Sequence, residues 1–523
     1  MIKRRPDLPA GHGELVTEPP VSEWAQLLQE NAEQVAGWDF CVAGVPVADL
    51  RKDARRILTA KAKAWSDRLG IETSAPPTEP SLIVATGHQP DLYHTGVWAK
   101  DFLLQRLATQ TGATAVDVVV DSDVFDHVGI RAPCFSPGIV RCEQYLATGG
   151  PATCFACSPT PGPDDIELFC KAAAATLDTL PSPSAGLHFA SYCEGLRDSV
   201  SASENLAELM TAARRRYEGD LTDYLELPVT AAAASEPFVR FAVDICLSAR
   251  RFAAIHNDEL ASHRALHRLR SSARPFPDLV VDDEVIELPF WLLRDGSRSG
   301  ARIREASEGL ILLGPDGDLV TLPADPSQAV PVLLGSGIRL VPRALTLTLF
   351  VRTFLADLFI HGIGGSRYDR VTEAVAHRWW GIELPQFVTA SLTMYLPLGA
   401  YLVTEDDLAE VDQRLHRLAH NPDEALGDID FDSPGERDRA LSLAGRKRDL
   451  VEKISAEGAD RKVLGAEIRE VNAELAALLD PLAGELRSTR DRLSVQIEAS
   501  GVLADRTYPF CLWSPEDVAD KVW

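Results

Sequence analysis

Histidine and aspartate side chains cluster in two short loops of this sequence. A neutral imidazole near pH 7 donates and accepts protons, and an imidazolium can hold a phosphate. An aspartate can orient an amine or hydroxyl nucleophile, accept its proton, or bind Mg²⁺. Structural roles, such as capping a helix or turn, are the alternative for each residue. The candidate catalytic residues are His88, His94, Asp121 and Asp123.

The elements that must position these residues are a strand, a helix and a second strand. An apolar run at 82–85 is followed by a helical pattern at 97–107 and by another apolar run at 116–120. Two buried-type strands joined by one helix are most simply a parallel unit with a right-handed crossover. Both loops then emerge at one sheet edge, where ligands bind in open α/β sheets. The sequence therefore predicts a ligand site there.

A glycine-rich turn at 361–366 could complete that site from far along the chain. It precedes a predicted helix, with Ser366 and Asp369 at the spacing of a capping box. Such a turn presents backbone N–H groups and the positive end of the helix dipole to an anion. A tight turn without a ligand is the alternative.

Composition and charge narrow the class of protein. The 523 residues carry a formal charge of −25, and we find no basic stripe that could neutralise nucleic-acid phosphates. No run approaches the roughly 18 apolar residues of a membrane span, and no apolar segment follows the first basic residues as in a signal peptide. We expect a cytoplasmic protein with a small-molecule substrate and with neither nucleic acid nor membrane as partner.

Nine cysteines, an odd number at irregular spacing, indicate reduced thiols more than a disulfide framework. A structural zinc would need four converging thiolates, but only one pair in the local cluster has ligand spacing. We therefore expect scattered free cysteines and no metal site. The local cluster consists of Cys134, Cys142, Cys154 and Cys157.

The middle of the chain mixes irregular, helical and strand patterns. Residues 133–183 lack periodicity, and 278–334 resemble short strands joined by turns. Ser235 is a strong N-cap before a core helix whose apolar positions continue to Ile255. The long apolar segment 344–360 is predicted to be helical because of its length.

Residues 464–493 carry aliphatic side chains at alternating steps of four and three, which predicts a coiled coil with a kink at Pro481. The loop-like stretch 428–435 favours antiparallel helices packed as a hairpin. An intermolecular coiled coil, and hence a homodimer, is the alternative. The aromatic tail at 506–513 is expected to pack back onto a core.

Residues 86–92, Thr-Gly-His-Gln-Pro-Asp-Leu, resemble the opening motif of the bacillithiol synthase (BshC) family. That family usually has glutamine at the position of His88, glycine at that of Asp91, and a Gly-Pro-Gly-Glu pattern in its glycine turn, which this chain lacks. The later features are similar in order: an acidic, histidine-containing strand end at 121–127, Pro342-Arg343 before a predicted helix, the glycine turn with Tyr368, and Gly381 to Pro385 after a helix.

The patterns and the resemblance together predict an α/β fold. The resemblance implies a Rossmann-like, nucleotidyltransferase-like parallel-sheet core with insertions and a C-terminal α-helical coiled-coil hairpin. The expected segments are an N-terminal helical segment at 1–80, the core at 81–400 with an irregular or helical insertion at about 133–230 and a β-rich one at about 278–335, and coiled-coil helices with the aromatic tail at 401–523.

By resemblance, we expect a ligase that joins an amino acid, cysteine in the family, to an amine acceptor. The candidate cofactor is ATP or ADP with Mg²⁺. A nucleotidyl or phosphoryl transferase and a non-enzymatic coiled-coil assembly protein are the alternatives. Lys100 would neutralise a phosphate, although a surface lysine is the commoner explanation. The expected substrate-binding or anion-binding residues are Thr86, Gly87, Gln89, Lys100, His127, His361, Gly364, Gly365, Ser366 and Tyr368.

Overall fold

The chain folds as two units. The computed structural model describes residues 8–136, 138–269, 271, 276–294, 296–307, 309–399, 403–431 and 433–523. The first unit comprises Met1–Ser136, Arg141–Leu396 and Arg506–Trp523, and the second comprises Pro137–Val140 and Pro397–Asp505. The C-terminal residues therefore belong to the first unit.

Among the described residues, the search for a helix with the length and apolar character of a membrane span found none. The strands are β1 (Glu14–Glu18), β2 (Cys41–Val42), β3 (Val45–Pro46), β4 (Ile83–His88), β5 (Thr114–Val119), β6 (His127–Cys134), β7 (Val140–Thr148), β8 (Leu225–Pro228), β9 (Val285–Arg294), β10 (Ser297–Ala306), β11 (Gly309–Gly314), β12 (Gly317–Leu322), β13 (Arg339–Pro342), β14 (Leu358–His361) and β15 (Val388–Thr393). The helices are α1 (Trp24–Ala36), α2 (Val47–Arg68), α3 (Thr95–Thr111), α4 (Pro163–Leu177), α5 (Ser184–Ser199), α6 (Leu206–Glu218), α7 (Val229–Ala233), α8 (Glu236–Leu247), α9 (Ala249–His267), α10 (Pro326–Gly335), α11 (Ala344–Phe350), α12 (Ile363–Ser366), α13 (Asp369–Trp380), α14 (Glu405–His420), α15 (Pro434–Ile454), α16 (Arg461–Leu478), α17 (Asp480–Leu503) and α18 (Pro515–Val522).

The central sheet of the first unit has the strand order β1-β15-β14-β4-β5-β8. All neighbours pair in parallel except β1, which is antiparallel at the edge. Parallel strands are buried on both faces, which explains the continuous apolar runs in β4 and β5. α3 connects β4 to β5, so the predicted strand, helix, strand order is confirmed, as is an α/β fold with a parallel sheet.

A second, antiparallel sheet has the order β12-β11-β10-β9-β13 and lies in the segment where short strands were predicted. β6 and β7 form a separate two-stranded sheet. Aromatic side chains link α8, the second sheet and α11: the ring of Phe238 lies 6.1 Å from that of Phe290 and 4.9 Å from that of Phe350. One apolar core therefore joins the two larger sheets.

The predicted helix at 344–360 is wrong in its second half. α11 continues only as a π-helical turn, Val351–Leu355, and the chain then enters β14. This single apolar run contains two elements, so its length does not indicate one long helix. Asp357, 1% exposed, separates them, and Arg51 and Arg55 bind its carboxylate.

Two other segments differ from expectation. Residues 133–183 include the end of β6, β7 and α4 rather than only irregular structure, because alternate residues of the hairpin are buried as in a half-buried sheet. Ser235 caps α8 as predicted, with its hydroxyl accepting from the Phe238 N–H. The helix breaks at Ser248, however, where φ is −129° and ψ is 33°.

Four helices make up most of the second unit. α14 packs against α17, and α15 packs against α16. Each pair has its own apolar cluster, one around Leu418 and Leu482 and the other around Leu443 and Leu475. The predicted kink at Pro481 is a break between α16 and α17, with the proline in the first turn of α17, where its missing N–H costs nothing.

Candidate functional site

An open cleft of about 520 Å³ lies at the edge of the central sheet where β4 and β5 end. Cavities of this size hold small molecules. The loop after β4, the β6–β7 hairpin with the loop before it, and the C-terminal tail form the walls. The polar side chains that line the cleft are Gln89, Asp91, Asp126, His127, Arg131, Glu143, Tyr145 and Thr507.

The loop after β4 is fixed against the loop after β5. A Cβ at Gly87 would lie 2.8 Å from the carbonyl oxygen of Val118, so this close approach requires glycine. The Gln89 amide donates to Asp123 Oδ2 at 2.9 Å, and Arg298 Nη1 donates to Asp123 Oδ1 at 2.8 Å. Asp123 therefore orients Gln89 at the cleft and is itself held in an ion pair.

The β6–β7 hairpin forms the wall with the most polar side chains. A Cβ at Gly129 would lie 2.1 Å from the carbonyl oxygen of Gln144, so the two strands can approach closely only at a glycine. The ring of His127 stacks on that of Tyr145, with centroids 4.2 Å apart. The Tyr145 hydroxyl donates to the carboxylate of Glu143. The hairpin thus presents an imidazole, a phenol and a carboxylate together.

The C-terminal tail packs onto the core, as its aromatic composition predicted, and it also closes the third side of the cleft. Tyr508 and Phe510 are buried, and the Phe510 N–H donates to the Tyr93 carbonyl at 2.8 Å. Arg131 of β6 donates to the hydroxyl of Thr507. The tail therefore completes a cleft whose other walls come from the N-terminal third of the chain.

Carboxylates outnumber cationic side chains in the cleft. Asp91, Asp126 and Glu143 line it together with Arg131 and His127. Burial raises the pKa of Asp91, which is half-buried. Carboxylates attract ammonium groups, and a guanidinium suits a carboxylate. The charge pattern therefore suits an amine or a zwitterion better than a phosphate.

The two predicted catalytic histidines do not carry positive charge into the cleft. Burial, followed by the charge of nearby Lys100, lowers the pKa of His88 to about 3, so its imidazole is neutral near pH 7. His94 is the N-cap of α3, and its Nδ1 accepts from the Gly96 N–H at 3.0 Å. His88 is therefore not a phosphate-binding cation, and His94 has a helix-capping role.

Asp121 also has a structural partner. Its carboxylate accepts from the Thr230 N–H at 3.0 Å and from the Thr230 hydroxyl, which fixes the start of α7. Burial raises the pKa of Asp121 to about 6. Asp121 is absent from the cleft lining, which places it among the capping residues that were the alternative.

Thr86, Gly87 and Lys100 form a buried group beside β4. Lys100 Nζ donates at 3.0 Å both to Thr86 Oγ1 and to the Gly87 carbonyl, and Thr86 Oγ1 donates to the Ile360 carbonyl. Lys100 is 3% exposed, so it is not a surface lysine. None of the three lines the cleft.

His361 lies on the opposite face of the sheet from His88. Its Nε2 is 2.8 Å from Asp369 Oδ2, and Arg352 donates to the same oxygen. His88 instead borders α6 through Met210. The two loops and the glycine turn therefore do not form the expected single site. Although β4 and β14 are neighbouring strands, adjacent side chains along a strand point to opposite faces of the sheet.

The remaining glycine-turn residues have local contacts. A Cβ at Gly364 would meet nothing within 4 Å, and one at Gly365 would lie 3.0 Å from His361 Nδ1. The Ser366 hydroxyl donates to the Ile363 carbonyl, and Asp369 is bound by Arg352, so the predicted capping box is wrong. Tyr368 packs against the ring of Phe276.

A buried charge cluster lies beneath the cleft. A small cavity of about 10 Å³, the size of one water molecule, is lined by His88, Asp117 and Arg214. The Arg214 guanidinium donates to Asp101 at 3.2 Å, to Asp117 at 3.0 Å and to Glu226. Gln89 and Asp91 border both this cavity and the cleft. Gln89 and Asp91 therefore lie between the cleft and this ionic cluster.

Cys154 and Cys157 form a disulfide, so the expectation of scattered free cysteines is wrong for this pair. A 3₁₀ turn, Phe155–Cys157, brings the two sulfurs together, and Phe155 lines the cleft. Within the described residues, no group of three or more His, Cys, Asp or Glu side chains could hold a metal ion.

Comparison of the sequence with models of known protein families and with curated proteins found no match. The site must therefore be judged from its own geometry. Among the expected site residues, Gln89 and His127 line the cleft. Sequence reasoning missed Arg131, Glu143 and Tyr145, although their alternate spacing in two short strands was a usable signal.

The neutral state of His88 leads to a pH prediction. The unfolded chain protonates this histidine below about pH 6.5, whereas the folded protein resists protonation until about pH 3, so folding loses stability as the pH falls through that window. We expect His88→Gln to reduce the loss of unfolding free energy between about pH 6.5 and 4 by about 2 kcal/mol. Urea unfolding at several pH values measures this. His377→Gln, at an exposed histidine, is the control, and equal slopes in both variants would contradict the prediction.

Proposed function

We propose that the chain is a carbon–nitrogen ligase that joins an amino acid to an amine acceptor, with the cleft as its substrate site. The observation that carries the proposal is the charge pattern of the cleft, where Asp91, Asp126 and Glu143 occur together with Arg131. A zwitterionic amino acid presents an ammonium to the carboxylates and a carboxylate to the guanidinium. The resemblance to the bacillithiol synthase family supports cysteine as the amino acid.

An amine acceptor also suits this cleft. It is cationic at neutral pH and must lose a proton when its nitrogen attacks an activated acyl carbon and displaces the leaving group on that carbon. A carboxylate whose pKa is raised accepts a proton better than an ordinary one. Burial raises the pKa of Asp91, so we assign Asp91 as the proton acceptor and Arg131 as the residue that orients the amino-acid carboxylate. Gln89, held by Asp123, would donate a hydrogen bond to the substrate.

The nucleotide that the resemblance implies does not fit the cleft. Nucleoside triphosphates are strongly anionic, whereas the lining carries three carboxylates against one guanidinium and one imidazole. Phosphates beside these carboxylates would be repelled. The roles assigned above therefore concern the amino acid and the amine alone.

The strand order supports a Rossmann-like core within this proposal. Numbered along the chain, the five parallel strands β4, β5, β8, β14 and β15 are arranged 3-2-1-4-5, as in doubly wound folds. In the second unit, Arg490 pairs with Asp412 at 2.7 Å and Arg439 with Glu474 at 3.3 Å, across α14–α17 and α15–α16. These ion pairs support two antiparallel coiled coils, each made of two helices. Pairing of such helices between two chains, which would give a homodimer, is a further proposal.

Arg131→Met should weaken binding of an amino acid by about 10-fold to 100-fold, because a charge-assisted hydrogen bond is worth about 1.5–3 kcal/mol. Isothermal titration with cysteine measures this directly. Glu143→Gln should weaken binding of an amino sugar, whose amine is its only cation. Arg302→Met, at an exposed position of β10, is the control and should change neither affinity.

A product assay with ATP, cysteine and an amino sugar then separates the alternatives. Amide product supports the ligase. Pyrophosphate release without amide would indicate nucleotidyl transfer, and self-association without binding of any of the three compounds would indicate an assembly protein. Full activity of both Arg131→Met and Asp91→Asn would mean that the cleft is not the substrate site.

A further inference from the structure

The β6–β7 hairpin has two chemically different faces. His127 and Arg131 of β6 and Glu143 and Tyr145 of β7 line the cleft. The alternate residues form the reverse face, where Val128 is 0% exposed and α4 packs against β6. This reverse face carries one cysteine from each strand, and it has no part in the substrate site proposed above.

Those two cysteines, Cys134 and Cys142, lie on the two neighbouring strands of the hairpin. The Ser136 carbonyl, 3.3 Å from Cys134 Sγ, lowers the pKa of Cys134, and the Cys142 thiol lowers it further. The turn after α4 lies beside Cys134: the Phe135 N–H donates to Thr179 Oγ1 at 3.0 Å. Two thiols on the same face of neighbouring strands need little backbone movement to bond.

The two thiols of this pair differ in exposure, and the chain provides two contrasts to the pair. Cys134 is 8% exposed but Cys142 is half-buried, so a small reagent reaches one sulfur of the pair. Cys170 and Cys193 form a second pair, in which the Cys193 thiol lowers the pKa of Cys170, yet both are buried. Cys41 is exposed.

We propose that Cys134 and Cys142 are a thiol–disulfide exchange site whose substrate is a low-molecular-weight disulfide. The Cys142 thiolate attacks one sulfur of that disulfide, whose S–S bond breaks and releases one small thiolate. The Cys134 thiolate then attacks Cys142 Sγ, breaks the mixed disulfide and releases the second small thiolate. Two protein thiols are oxidised, one small disulfide is reduced to two thiols, and the two protein protons pass to the released thiolates.

The product would be a bond between the two strands of the cleft wall. Strand separation would then be restricted at the positions that carry Arg131 and Glu143 on the other face. Burial raises the pKa of Cys142, so exchange should accelerate as the pH rises above neutral. The site is independent of the proposed ligase function, because it is defined by thiols outside the cleft.

Glutathione disulfide is the probe for the full-length native protein, followed by non-reducing peptide mapping. We expect a Cys134–Cys142 cross-link with two glutathione molecules released per chain. Cys134→Ser should retain glutathione on Cys142, because the resolving thiol is gone. Cys142→Ser should slow modification of Cys134 by at least about 10-fold, because only a buried thiol is left.

Cys41→Ser and the native pair provide the controls. Cys41→Ser should form the Cys134–Cys142 cross-link at the wild-type rate, and Cys170 and Cys193 should stay reduced in the folded protein. A lasting glutathione adduct on Cys142 of the wild type, without the cross-link, would overturn the proposal. Equal rates in Cys142→Ser and the wild type would also overturn it.

Discussion

Arg214→Met is expected to lower the free energy of unfolding by about 3–5 kcal/mol, because it leaves buried carboxylates without their counter-charge. Arg214 donates to Asp101, Asp117 and Glu226, and all four side chains are at least nine-tenths buried. Methionine fills much of the same volume, so the loss would report charge more than packing. Unfolding by guanidinium chloride at pH 8 measures this loss of stability.

The loss of unfolding free energy in Arg214→Met should become smaller as the pH falls. Burial raises the pKa of Asp101 to about 8, so the folded state binds the Asp101 proton more tightly than the unfolded state does. This proton binding stabilises the fold below about pH 4, and the stabilisation declines as the pH rises from about 4 to about 8. Without Arg214, protonation removes the unpaired charge. Arg216→Met, at the exposed neighbour in α6, is the control with an expected loss below about 1 kcal/mol. Equal losses in the two variants would contradict the prediction.

Asp357→Ala is expected to lower the free energy of unfolding by a similar amount, about 3–5 kcal/mol. The reason is the opposite one, because this variant leaves two buried guanidinium groups without their carboxylate partner. Asp357 Oδ1 accepts from Arg51 at 2.7 Å and from Arg55 at 3.0 Å, and Oδ2 accepts from Arg55 at 2.9 Å and from the Ile83 N–H at 2.7 Å. Burial lowers the pKa of Arg51 to about 10, still well above neutral. The Arg51 guanidinium would stay charged in the variant.

Urea unfolding of Asp357→Ala should show this loss at neutral pH, together with weaker protection of β4 amides in hydrogen exchange, since Ile83 begins that strand. Glu79→Gln breaks an ion pair with Lys52 in which both side chains are more than 60% exposed. It should change stability by less than about 1 kcal/mol. A small effect at Asp357 would mean that α2 does not depend on this contact.

The parts of the fold that local pattern could predict are those in which neighbours in sequence decide the structure. The apolar runs around Ile83 and Val116 indicated buried parallel strands, and the hydroxyl of Ser235 indicated a helix start. The segment after Ala344 could not be predicted in the same way. Its exit from the helix depends on Asp357 meeting α2, an arginine-bearing helix far earlier in the sequence.

The site shows the same division. Sequence placed Gln89 and His127 at the right edge of the sheet, because strand direction alone decides that. It could not decide which face a side chain takes after the strand ends, so His361 was grouped with His88 although Asp369 and Arg352 hold it on the other face. Nor could it place Thr507 beside Arg131, because nothing local connects the tail to β6.

The position of the tail imposes an order on the protein's assembly. Because residues 506–523 belong to the first unit, the cleft wall that carries Thr507 and Pro509 is made only after the second unit has been synthesised. Chains emerge from the ribosome from the N-terminus, and domains usually fold in that order. Here the second unit has been synthesised before residues 506–523 of the first unit emerge. A substrate would therefore meet a finished cleft only on chains whose translation has passed the tail.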